Sequence, residues 1–222
     1  RLNFFAVLIK RTEQYINFYN IYNYIILNII LIYTMTDEHG PTLTKFPTMD
    51  GRTVKLRELL IDDAIDISRL MTYNISKSLW EVPYPYTLEN ASIFINSSQI
   101  EFRSLKAINF AILYERNLEY SGLVGIIGLK NIHIDNRKAN LGYWIGESFW
   151  GNGIASESVE LVINYAFSVL KLEEVYAYVY SQNKRSIRVL EKNGMTRVGE
   201  GNEYSKKLAR YQNTIKFFIK RQ

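Results

Sequence analysis

Apolar and polar positions fall into short, changing periods along most of this chain. Arg52 to Arg57 (RTVKLR) alternates Val54 and Leu56 with polar neighbours, the pattern of a half-buried strand. Asp62 and Asp63 then precede Ala64, Ile67 and Leu70 at helical spacing, with acid at the end where the helix dipole favours it. Pro83 and Pro85 punctuate a loop, WEVPYPYTLEN, after which Thr87 or Glu89 starts a helix carrying Ala91, Phe94 and Ile95. Ala107 to Tyr114, Leu123 to Leu129 and Leu141 to Ile145 read as consecutive strands, joined by turn-forming residues near Asn117 and at Asp135-Asn136. His133 falls in a polar connection between them.

A run of glycines follows. In GYWIGESFWGNGIASE, residues 142–157, a strand breaks into a turn at Gly151 and Gly153. Asn152-Gly153 alone would also suit a two-residue hairpin. Val159, Val162, Ile163, Ala166, Phe167 and Leu170 instead mark one face of a helix, with Ser156, Glu157 and Glu160 elsewhere. Val175 to Tyr180 is the next strand; Asn183 caps a helix bearing Ile187 and Leu190, and Gly194 ends it. Met195 to Gly199 and Ile215 to Ile219 supply two last strands, the final one at an edge. This order predicts the α/β class, a mixed central sheet of about six to seven strands with helices on both faces.

The amino-terminal segment is of another kind. From Tyr15 to Tyr33 every residue is Ile, Leu, Phe, Tyr or Asn, behind Lys10 and Arg11. Such a length roughly matches a hydrocarbon core of about 30 Å, so a membrane anchor is one reading. The other is translated upstream sequence, because all five residue types have AU-rich codons and the first methionine is Met35. The expected organisation is therefore residues 1–34 as an extension outside the native protein, 35–49 as a polar leader and 50–222 as the functional domain, in the cytoplasm, as a monomer or homodimer.

Composition narrows the chemistry. The 222 residues include no cysteine and only two histidines, which removes thiolate zinc sites and a cysteine nucleophile and makes histidine-rich metal sites and Ser/His/Asp arrangements poor candidates. A substrate that arrives already activated suits this inventory. The net charge of +5 is spread along the chain, which suits an anionic cofactor and argues against nucleic acid.

A glycine turn opening a helix is an anion site, because the first N–H groups lack helical partners and carry the positive end of the dipole. A dinucleotide fingerprint would need a third glycine where Ser156 stands, although an acid does follow at Glu173 or Glu174. Too little chain remains after Ser156 to complete that fold, and no G-x-x-x-x-G-K-[ST] phosphate loop occurs.

LGYWIGESFWGNGIASE (141–157), NKRSIRVLEKNGM (183–195) and VPYPYTLENASIFI (82–95) together resemble the GNAT N-acetyltransferases, in particular the branch acting on ribosomal-protein N-termini. The resemblance spans about residues 50–220 and implies the GNAT fold, acetyl-CoA as co-substrate and no metal. It places the coenzyme A pyrophosphate on the backbone of Trp150, Gly151, Asn152, Gly153, Ile154, Ala155 and Ser156, with Trp150 where Gln or Arg is usual. It puts the pantetheine arm against the backbone of Tyr143, Trp144 and Ile145, and the cofactor against Asn183 and Ser186, with Ser186 as the acid for the leaving thiolate. Asn183 serves equally as a helix cap. The family's glutamate base falls on Tyr178, which leaves Glu147, Glu200 or a water chain for that role. The implied acceptor is a primary amine, either a protein N-terminus or a small molecule such as an amino acid, polyamine or antibiotic. A non-catalytic acyl-CoA binder of the same fold is the rival reading.

Overall fold

A computed structural model describes residues 45–80, 82–115, 122–205 and 207–221. The hydrophobic extension or anchor and the first part of the leader lie outside them. Among the described residues, no helix is long and apolar enough to cross a membrane.

The elements run β1 (Met49–Asp50), β2 (Val54–Glu58), α1 (Asp63–Leu70), α2 (Tyr73–Ser76), α3 (Leu88–Arg103), β3 (Ala107–Tyr114), β4 (Leu123–His133) and β5 (Lys138–Ile145). After a 3₁₀ turn (Glu147–Phe149) come α4 (Ile154–Ser168), β6 (Glu174–Tyr180), α5 (Lys184–Lys192), β7 (Thr196–Ser205) and β8 (Arg210–Lys220). One sheet of eight strands has the order β1-β2-β3-β4-β5-β6-β8-β7. Only β5 and β6 run parallel in it; the other neighbours are antiparallel.

The mixed sheet has helices on both faces, as the periodicity predicts. Ile108, Phe110 and Ile112 of β3 point into the larger core with Val159, Val162 and Ala166 of α4. Ala111, between them in sequence, points to the other face and meets Ala64 and Ile67 of α1 and Ala91 and Ile95 of α3. Local signals set the helix ends. Thr87 caps α3 with a reciprocal Thr87–Asn90 capping box. Gly194, at φ +76°, follows the last residues of α5 as a left-handed stop.

Three details differ from the sequence reading. The last strand is internal, because β8 inserts between β6 and β7 and leaves β7 as the edge. β7 is mostly exposed and carries no alternation that would reveal its pairing, and it extends past Gly199 to Ser205. His133 belongs to the end of β4, paired with Lys138, rather than to a connection.

The amino end of the sheet is tied to the helix that follows the glycine turn. Glu157 of α4 accepts from the Thr53 hydroxyl (2.6 Å), the Thr53 N–H (3.0 Å) and the Arg52 N–H. Burial pushes its carboxyl upward, but these donors and the Arg52 charge outweigh it and hold the group below its ordinary range. A Cβ at Gly51 would come within 2.5 Å of Glu157 Oε1, so the turn before β2 closes directly on the carboxylate.

Candidate functional site

The sheet opens at its centre. Parallel pairing of β5 with β6 begins at Lys138↔Glu174 and ends at Leu141↔Ala177, although both strands continue. On the other side, β5 stays paired to β4 through Ile145↔Gly125. The bond from Gly146 N–H to the Val124 carbonyl (2.9 Å) makes Ile145↔Gly125 a non-hydrogen-bonded pair, so the backbone of Ile145 and of Tyr143 faces the opening. Trp144 is turned the other way: its backbone bonds to β4, and its side chain packs on the core under α1 and α3. Of the three consecutive backbone positions expected to line the gap, Tyr143 and Ile145 do so and Trp144 does not.

The carboxyl end of β5 leads into the glycine turn. Gly151 and Gly153 have φ of +88° and +78°, left-handed values that disfavour any side chain, and a Cβ at either would meet nothing within 4 Å. Gly153 is the residue preceding α4 and supplies no side-chain cap. The first N–H groups of α4 have no partner within the helix, and the turn that leads into them is uncrowded at both glycines. Ile154 is buried and Ala155 packs on the core, so these two bring backbone rather than side chains to the turn. Asn152 donates to the Phe149 carbonyl (3.2 Å), bracing the turn, and the Ser156 hydroxyl accepts from Asn193 (3.3 Å).

Trp150 is the fixed point of this region. Its indole N–H donates to the Ile145 carbonyl at 2.8 Å, and the Arg185 guanidinium lies over its ring, 4.3 Å from the centroid. Arg185 had no signal in the sequence beyond standing two residues after Asn183. Beside the turn is a cleft of about 560 Å³ lined by Arg52, Asn152, Gly153, Ser156 and Lys192 among others.

Helix α5 starts at the carboxyl end of β6, next to the gap. Asn183 Oδ1 accepts from the Ser186 N–H at 3.2 Å, so the cap reading holds. Ser186 Oγ and the Tyr143 hydroxyl are 2.8 Å apart. Burial pushes the Tyr143 hydroxyl up to about 12, against the lowering effect of its bond with Ser186, so it stays protonated across the neutral range.

The base candidates are dispersed. Both oxygens of Glu147 are engaged, Oε1 by the Thr72 hydroxyl and Oε2 by Asn74 (3.2 Å), at the corner between α1 and α2. Glu200 pairs with Arg197 on the edge hairpin. Tyr178 is half exposed on β6, with Lys216 over its ring at 5.7 Å. Among the described residues, no group of three or more His, Cys, Asp or Glu could hold a metal.

The proline loop packs beside the open end of β6. Trp80 stacks on Tyr180, 5.0 Å between centroids and 16° between planes. Lys207, from the β7–β8 turn, donates to the Leu79 and Val82 carbonyls at 2.9 Å each and to the Ser76 carbonyl.

Residues 53–196 match the acetyltransferase (GNAT) domain family. Uncharacterized N-acetyltransferase p20 of Bacillus licheniformis is 31% identical over 181 residues, 78% of this chain and 95% of that protein. The spermidine N(1)-acetyltransferase of Escherichia coli K12 is 26% identical, covering 76% of this chain and 87% of its own length. Among solved structures, the ribosomal-protein-S5-alanine acetyltransferase of Vibrio fischeri superposes with a TM-score of 0.69 at 17% identity, over 78% of this chain and 96% of that one.

Proposed function

The chain belongs to the GNAT acetyltransferase family, and from that premise we propose that its acceptor is the α-amine of a protein's first residue, as in ribosomal-protein N-terminal acetylation. It is an acetyl-CoA-dependent N-acetyltransferase. The parted strands fit that co-substrate, since a pantetheine arm extends as a strand does and the backbone of Tyr143 and Ile145 already faces the space.

The thioester supplies the activated acyl group. The acceptor nitrogen forms a bond to the carbonyl carbon, the C–S bond breaks, and the sulfur leaves as a thiolate. Ser186 gives the thiolate a proton and is reprotonated, through water, by the proton that the acetylated nitrogen sheds as it becomes an amide. Tyr143 keeps the Ser186 hydroxyl oriented, being itself a neutral donor or acceptor at physiological pH. The proton of the incoming ammonium passes to Glu147, which must first give up its bond to Thr72 or Asn74, or to a water chain. The work left to the remaining backbone is positioning and polarising the carbonyl.

The observation that carries the acceptor assignment is the exposed aromatic wall beside the open strand end. Trp80, Tyr73 and Tyr84 are 39%, 52% and 53% exposed, and the two tyrosines meet edge to face at 5.5 Å. A peptide terminus lays backbone and side chain along such a surface, whereas a polyamine offers only short apolar links between charges. The Vibrio fischeri structure agrees with this reading. The Escherichia coli relative favours the second one, a polyamine held by the same aromatic faces through cation–π contacts. Thiol release with acetyl-CoA distinguishes them. Peptides with a free amino terminus should be turned over in strong preference to spermidine, and blocking that terminus should abolish turnover even when lysine is present. Preference for spermidine would reverse the assignment, and acetyl-CoA binding without any acceptor-dependent release would point to the non-catalytic binder.

A further inference from the structure

We infer that Arg185 is the cation that meets the pyrophosphate of acetyl-CoA, held in place by Trp150. This rests on the reading of the glycine turn as a pyrophosphate cradle and adds to it a side chain from a different element.

The turn has no basic residue of its own, and Trp150 stands where the family pattern carries Gln or Arg. The fold supplies the missing charge from α5. Helices α4 and α5 begin at the carboxyl ends of the two parallel strands, so their first turns are neighbours across the gap. The Tyr143–Ser186 hydroxyl bond at 2.8 Å fixes the first turn of α5 against β5, and the Asn183 cap sets Ser186 within that turn. Arg185 lies between those capped residues. Its guanidinium is placed over Trp150, one residue before Gly151.

The orientation matters as much as the location. Trp150 cannot swing, because its N–H is committed to the Ile145 carbonyl. With its central carbon 4.3 Å from the ring centroid, the guanidinium keeps N–H groups on the side away from the indole for hydrogen bonds, and a guanidinium fork suits paired phosphate oxygens. In front of it, the space at Gly151 and Gly153 is open. An anion on the backbone N–H groups of α4 therefore lies beside a preset Arg edge. The indole acts as a platform, so that Trp150 recovers through a neighbour the charge that an arginine at its own position would have provided.

Three acetyl donors separate the possibilities: acetyl-CoA, dephospho-acetyl-CoA, which keeps the pyrophosphate and lacks the 3′-phosphate, and S-acetylpantetheine, which has no phosphate. Arg185→Met should raise KM roughly tenfold for the first two, as loss of one charge-assisted contact implies, with kcat little changed. It should leave kcat/KM for S-acetylpantetheine as in the wild type and flatten the salt dependence of acetyl-CoA binding. Arg185→Lys should fall between, and Trp150→Leu combined with Arg185→Met should add little to the loss in acetyl-CoA binding that either causes alone. An equal loss with S-acetylpantetheine would make Arg185 merely structural, and a loss that disappears with dephospho-acetyl-CoA would move it to the 3′-phosphate. Either result, or no change at all, overturns the assignment. Wild-type turnover of acetyl-CoA, measured first, tests the underlying reading independently of Arg185.

Discussion

Glu157 shows how one side chain ties the cofactor helix to the rest of the sheet. Its periodicity puts it on the polar side of α4, yet it is buried, with only 8% of its surface exposed. Its carboxylate replaces solvent with the Thr53 hydroxyl and two backbone N–H donors of the turn before β2. Glu157→Gln keeps the volume but loses the charge and one acceptor pattern, at a cost of about 1–3 kcal/mol at neutral pH. The pH dependence has a defined sign. The folded carboxyl sits below the ordinary value of 4.5, so the stabilisation is full above that value and is lost as pH falls through the folded one. Urea titrations of wild type and Glu157→Gln should differ most near pH 7 and draw together only as the pH falls below 4.5 and through the lowered folded value. A gap that persists unchanged into acid would mean that packing, not charge, makes the contact.

Among the elements, the loop between α2 and α3 and the β7–β8 hairpin form one unit through Lys207. Three backbone carbonyls, of Ser76, Leu79 and Val82, converge on its ammonium, and desolvation pushes its titration downward from the usual lysine range. The Ser76 carbonyl also accepts from the Leu79 N–H (3.0 Å) and the Val82 carbonyl from the Ser76 hydroxyl (2.8 Å), but it is Lys207 that joins this segment to the β7–β8 turn through all three carbonyls, so Lys207→Met should loosen the loop and unseat Trp80 from Tyr180. The expected result is a higher KM for the acceptor with KM for acetyl-CoA unchanged, read from steady-state kinetics with each substrate varied in turn. A change confined to acetyl-CoA would refute the loop's assignment to the acceptor side. The contact between the two halves of this unit was not legible in the sequence. The WEVPYPYT loop is recognisable from its prolines, but its partner lies more than a hundred residues away on β7–β8, whose polar pattern also concealed that β8 and not β7 is internal. By contrast Thr87, Asn183, Gly153 and Gly194 were legible because caps and left-handed turns are decided within a few residues of chain. Arg185 falls with the long-range group: its stacking on Trp150 depends on two strands and two helices meeting.

At the scale of the molecule, the decisive feature is a sheet that is continuous at one end and divided at the other. β5 is a full member of the antiparallel half through Ile145, whereas its bonds to β6 stop at Leu141. The divided end has the N-terminus of α5 beside it and Trp80 of the aromatic loop stacked on its last β6 residue, Tyr180. Alternation of backbone direction along β5 gives this architecture a residue-by-residue signature. In the free protein the Tyr143 N–H faces the opening while the Trp144 N–H is bonded to β4, and the two differ by only one position. Amide hydrogen exchange should therefore be fast at Tyr143 and Ile145 and slow at Trp144. Saturating acetyl-CoA should slow Tyr143 or Ile145 as the arm takes the place of a strand, with little effect at Trp144 beyond the global gain of about 2.7 kcal/mol expected at a hundredfold excess over Kd. Fast exchange at Trp144 in the free protein, or uniform protection of all three on binding, would mean that the cofactor stabilises the sheet without entering it.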